Sequence, residues 1–187
     1  NGGTLTLEGE LHHAGTGLWS PATATSIVGS GSFTNSGLIQ TSSDKNIVLD
    51  MFDNLAGGRL EKNAGLGSFT LTGPTTNLGV IAVAGGTVQF ADTLVNEGLI
   101  ELGVDGIVEI AGATTTNAAT GVITGVGTLS VPASAFTNLG ELAPGTSPGL
   151  LTIDGNLTLG ATSTLTIDLD GPVAGVGYDQ LQVTGST

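Results

Sequence analysis

Asn77-Leu78-Gly79-Val80-Ile81 and, 19 residues on, Asn96-Glu97-Gly98-Leu99-Ile100 decide how this chain folds. The same order of Asn, Gly and aliphatic residue stands at Asn35-Ser36-Gly37-Leu38-Ile39, from Asn54 to Leu60, from Asn117 to Ile123 and at Asn138-Leu139-Gly140-Glu141-Leu142. Aligned on glycines 37, 58, 79, 98, 121 and 140, the blocks follow one another at 21, 21, 19, 23 and 19 residues. A nearly fixed period in this range marks a stacked-repeat architecture.

The second residue after each glycine is Ile39, Leu60, Ile81, Ile100, Ile123 or Leu142, and the third is small or polar. Alternation of period two is a strand with one buried face. A second strand follows in each repeat: Ile47-Val48-Leu49, Phe69-Thr70-Leu71, Val88-Gln89-Phe90, Val108-Glu109-Ile110, Leu129-Ser130-Val131 and Leu151-Thr152-Ile153. A third is signalled two residues before each Asn by Phe33, Phe52, Thr75, Leu94, Thr115 and Phe136. Corners of a few residues remain, and they suit Gly and Asn, which tolerate positive φ.

Strands this short bury their apolar faces only by stacking on the next repeat. The expected fold is therefore all-β, a parallel β-helix with three faces and about 21 residues per turn, right-handed by the chirality of parallel connections. Asn35, Asn54, Asn77, Asn96, Asn117 and Asn138 would stack as a structural amide ladder. Residues 1–32 read as irregular early turns, 33–153 as the regular repeats and 154–187 as a different repeat, all in one solenoid segment. Gly2-Gly3-Thr4-Leu5-Thr6-Leu7 matches Gly85-Gly86-Thr87-Val88-Gln89-Phe90, and the chain leaves in mid-pattern at Leu181-Gln182-Val183. Both ends thus suggest a piece of a longer array.

The 187 residues carry 16 acidic and three basic side chains, a net charge of −13, with no Cys. Phosphate binding needs Lys and Arg, so nucleic acid is excluded as a partner. The acidity keeps a rod of exposed strands soluble. No apolar stretch is long enough for a membrane-spanning helix, so membrane insertion of this segment is not expected. The absence of Cys suits a secreted bacterial protein.

From Pro144 the chain reads Pro144-Gly145-Thr146-Ser147-Pro148-Gly149, then Leu151-Thr152-Ile153-Asp154-Gly155-Asn156-Leu157-Thr158-Leu159. Ser163-Thr164-Leu165 and Asp179-Gln180-Leu181-Gln182-Val183-Thr184-Gly185 follow. This stretch of about 45 residues closely resembles the passenger-associated repeat of bacterial autotransporters and related secreted adhesins. The resemblance implies a right-handed β-helix outside the cell or on its surface, and it carries over no catalytic residue.

Few residues suggest chemistry. His12 and His13 stand near Trp19 and raise a metal pair or a sugar-stacking site, but no Cys or carboxylate at ligand spacing joins them. Asp50 and Asp53 are a carboxylate pair of the kind that cleaves glycosidic bonds, without the bases that polysaccharide sites use. Asp168 and Asp170 are the best calcium candidates, yet a solvated strand edge is the favoured explanation. Thr-x-Thr pairs at 4/6, 23/25, 70/72 and 164/166 resemble ice-binding solenoids. Val48, Gln89, Glu109 and Ser130 at the corresponding outward positions break that array, so these pairs do not point to ice binding.

Leu38, Val80, Leu99 and Val122 form a candidate contact stripe, the column preceding the inward aliphatics. The sequence thus points to a non-catalytic segment with no metal site and no cofactor, a stiff spacer of a secreted or surface-attached adhesin or fibre. Its expected partners are further repeats of the same chain, with a second copy and host or environmental glycans as candidates. The alternatives are a self-assembling filament subunit and a carbohydrate-binding or carbohydrate-cleaving β-helix.

Overall fold

The computed structural model describes residues 4–19, 26–42, 44–112, 114–145, 148–174 and 176–186, and of Trp19 and residues 132–135 the backbone alone. Thr23, Thr25, Thr146 and Ser147 lie outside the described residues. The described chain has no helix, and every pairing between its strands is parallel. It is a β-solenoid of roughly 21 residues per turn.

Three faces run the length of the coil. The first holds Thr4–Thr6, Ser26–Val28, Ile47–Val48 and Ser68–Leu71, then residues 87–90, 107–110, 128–131 and 150–155, and finally Gln180–Val183. On the second stand Glu10–His13, Ser32–Asn35, Met51–Asn54, Thr75–Asn77, Leu94–Asn96 and Thr115–Asn117, followed by 135–138 and 156–159. The third holds Thr16–Trp19, Leu38–Thr41 and Arg59–Lys62, then 80–83 and 99–102, and closes with Val122–Gly125, Glu141–Pro144 and Thr164–Leu165.

Period two sends one column per face inward. Ile39, Leu60, Ile81, Ile100, Ile123 and Leu142 stand in direct register and are all buried. Phe33, Phe52, Thr75, Leu94, Thr115, Phe136 and Leu157 form a second buried column, and Phe33 meets Phe52 edge to face at 5.5 Å. With Phe69, Val88, Val108, Leu129 and Ile153 from the first face, the apolar members of these columns make one continuous core cluster.

Two expectations need correction. Ile47 pairs with Leu71, not Phe69, and Leu129 pairs with Ile153, not Leu151. Each slip is two residues, so the inward face is kept while longer corners are absorbed. The repeated glycines also act differently from expected. None of 37, 58, 79, 98, 121 and 140 has φ in the left-handed region. Instead a Cβ on Gly98 would lie 2.2 Å from the Gly79 carbonyl oxygen, and one on Gly79 2.2 Å from that of Gly58. The rungs approach too closely there for any side chain.

Candidate functional site

The Asn ladder forms as the spacing predicts. All six residues are buried, and Nδ2 of each donates to Oδ1 of the next: Asn35 to Asn54 and Asn54 to Asn77 at 2.8 Å, then Asn77 to Asn96, Asn96 to Asn117 and Asn117 to Asn138 at 2.7 Å. The second Nδ2 hydrogen of Asn54 reaches the Val80 carbonyl at 3.0 Å, and that of Asn77 the Leu99 carbonyl at 3.1 Å. Amides aligned head to tail polarise one another. Their donors are spent inside the fold, so the column holds the turns together and offers no free group to a ligand.

His13 caps this ladder. It stands in register with Asn35, and its Nε2 lies 3.3 Å from the Leu38 carbonyl, the place that the amides of Asn35, Asn54, Asn77, Asn96 and Asn117 take in later turns. Its ring packs edge to face on Phe33. His12 turns outward and bonds the hydroxyls of Thr34 at 2.9 Å and Ser36 at 3.2 Å. Adjacent strand residues face opposite sides, so the two imidazoles do not converge on one ion.

The carboxylates do not assemble either. Asp50 sits exposed at a corner, and Asp53 half-buried in a strand beside Thr34 and Thr76. Asp168 and Asp170 are exposed, and the described residues contain no cluster of three or more His, Cys, Asp or Glu suited to a metal. The acidic residue with a defined task is Asp179. It is buried, and its carboxylate accepts the Gly149 N–H at 2.7 Å and the Asp168 N–H at 3.1 Å. This pins the 168–179 excursion to the stem. Asp179 is the Asp of the terminal Asp-x-Leu-x-Val-x-Gly stretch, so its position was visible in the sequence although its role was not.

Leu38, Val80, Leu99 and Val122 lie in one column, interrupted by Arg59, and all four are half-buried. Arg59 bonds Glu61 at 2.7 Å and reaches Glu101 at 3.0 Å, while Gln40 donates to Glu61 at 2.7 Å. These hydrogen bonds, from Gln40 first and then Arg59, hold the Glu61 carboxyl below its ordinary value.

A concavity lies at the corner between the third and first faces. Successive turns spend residues 63–67, 84–86, 103–106 and 126–127 there. The long corners project and the short one between them recedes, which leaves a groove of about 730 Å³. Leu66 (99% exposed) and Val104 (75% exposed) are its walls, Gly85 and Gly86 its floor. A Cβ on Gly86, whose φ is 71°, would meet the Gly65 carbonyl at 2.5 Å, so glycine is required there. Beneath the groove lies Lys62, fully buried in the inward column between Thr41 and Val83. Its Nζ donates to the Ala64 carbonyl at 3.2 Å and pairs with Asp44 at 3.5 Å. Counting by twos from Leu60 would have placed Lys62 inside. The groove has apolar walls and one carboxylate, Asp105, an arrangement that can seat a small ligand but offers no acid–base pair among its described lining residues. No protein-family model, curated protein or solved structure matches this chain.

Proposed function

We propose that this chain is a non-catalytic structural segment of a secreted or cell-surface bacterial adhesin or extracellular fibre, serving as a stiff spacer. The observation that carries the reading is the unbroken run of amide bonds from Asn35 to Asn138 beside an uninterrupted core. A column bonded at every step resists bending and pulling, which is what a spacer requires. The resemblance of residues 144–185 to passenger-associated repeats, the lack of Cys and the net charge of −13 support an extracellular setting. In this setting the partners are neighbouring repeats of the same chain. The half-burial of Leu38, Val80, Leu99 and Val122 favours shielding of the stripe by adjacent turns over lateral contact with a second copy.

Single-molecule pulling between terminal handles tests the proposal. A spacer holds its length and then yields in steps of about one turn. Smooth extension at low force, as for a soft coil, would overturn it. A double Leu99→Ser, Val122→Ser variant should sediment like the parent; a change in association state would restore the contact stripe.

A further inference from the structure

The outward column of the second face reads Thr34, Asp53, Thr76, Val95, Thr116, Thr137 and Thr158 in one-to-one register. Thr93 and Thr114, two residues before Val95 and Thr116, flank it. This differs from the Thr-x-Thr pairs of the sequence reading, whose described members stand on the first and third faces. Each threonine of the column is the residue just before an Asn or its replacement, so sequence spacing alone does not pick it out.

Three properties bear on what this face can hold. From Thr76 upward, residues 74–77, 93–96, 114–117, 135–138 and 156–159 contain no charged side chain, in a chain of net charge −13. Asp92, at the preceding corner, turns its carboxylate back onto the Thr93 N–H at 2.6 Å. The hydroxyls of Thr76, Thr93, Thr114, Thr116, Thr137 and Thr158 make no hydrogen bond to any described residue, and neither do those of Thr128 and Thr152 on the first face, whereas Thr70, Thr72, Thr124 and Thr166 bond within the protein. Finally, the pairing is free of register shifts from Asp53 to Thr158 along this column, so the array is even.

We infer that this second face, over Thr76 to Thr158, binds the surface of ice. Threonine is stiff at χ1, which fixes a hydroxyl and a methyl together. Parallel rungs repeat them at ~4.8 Å. Tetrahedral water with O···O near 2.8 Å has second-neighbour oxygens about 4.5 Å apart, so the rungs run close to a lattice repeat. Charged side chains would orient water radially and break such a lattice, and the strands of this face from Thr76 to Thr158 carry none, Asp53 lying one turn below and Glu97 at the corner beyond Asn96. A flat polysaccharide is less well served, since sugar rings stack on aromatic faces and this column contains no aromatic residue.

The test is slow freezing of a dilute solution of the full chain, measuring its partition into the growing ice, together with inhibition of ice recrystallisation. Parent protein should enter the ice and keep crystals small. Thr116→Glu should lose both effects while keeping the parental β spectrum and melting midpoint, and Thr137→Lys, one turn on, should behave likewise. Thr152→Glu on the first face should retain them. Exclusion of the parent protein from ice would overturn the assignment, as would equal loss in Thr152→Glu. Binding to microcrystalline cellulose without partition into ice would overturn it in favour of a polysaccharide.

Discussion

Asn77 donates from Nδ2 to Asn96 Oδ1 at 2.7 Å, and Asn96 repeats the gesture to Asn117 at the same distance. Each amide is both acceptor and donor, so one substitution strands two neighbours. Asn96→Leu leaves the Asn77 donor and the Asn117 acceptor buried without partners. Unsatisfied groups cost about 1–3 kcal/mol each, so the variant should lose roughly 3 kcal/mol in urea unfolding. Asn96→Asp should suffer more at neutral pH, where its carboxylate faces the Asn117 oxygen. It should recover in acid, when the protonated carboxyl donates again.

Gly98→Ala tests the close approach of turns. Its methyl group would sit 2.2 Å from the Gly79 carbonyl, with Leu78 backbone on the other side. Overpacking of this kind costs about 1–3 kcal/mol, and backbone atoms yield less than side chains. Gly57→Ala, with φ at 86° but open space around it, should cost less than Gly98→Ala. Thermal melting of the two variants checks the order.

Glu61 gives a pH dependence of known sign. Its carboxyl is held below the ordinary value of 4.5 by Gln40 and then Arg59. A depressed folded-state value means stabilisation present above the unfolded value and lost as pH falls through the folded one. Glu61→Gln should therefore be less stable than the parent at pH 7. The gap should close as both are titrated to below about pH 4, read as midpoints of denaturant unfolding.

Lys62 is a buried charge whose partner Asp44 is largely exposed. Taking a charge out of water is costly, and a partner that itself stays in water repays little of that cost. Lys62→Met should melt at or above the parent temperature. Hydrogen exchange at residues 63–66 should quicken, because the bond to the Ala64 carbonyl is gone.

The fold was legible because three signals agreed: the glycine period, the aliphatic second position and the apolar residue two before each Asn. Ile81, Ile100 and Ile123 stack as that pattern requires. Register along the first face was less legible. Period two looks the same after a slip of two, so sequence alignment matched Phe69 to Ile47 when the corner 63–67 had moved Leu71 there. The groove depends on differences in corner length between turns, which averaging over repeats removes. The threonine column was hidden for a related reason. Its members are separated by buried residues of changing type, and only the register shows that Thr76, Thr116 and Thr137 belong together.

The turns are joined rung to rung through the Asn amides. Nuclear Overhauser spectroscopy of the side-chain Nδ2 protons measures this most directly. Slow exchange with solvent is expected, with a continuous series of contacts from Asn35 to Asn54 to Asn77 to Asn96 to Asn117 to Asn138. Rapidly exchanging amides, or contacts that skip a turn, would contradict it.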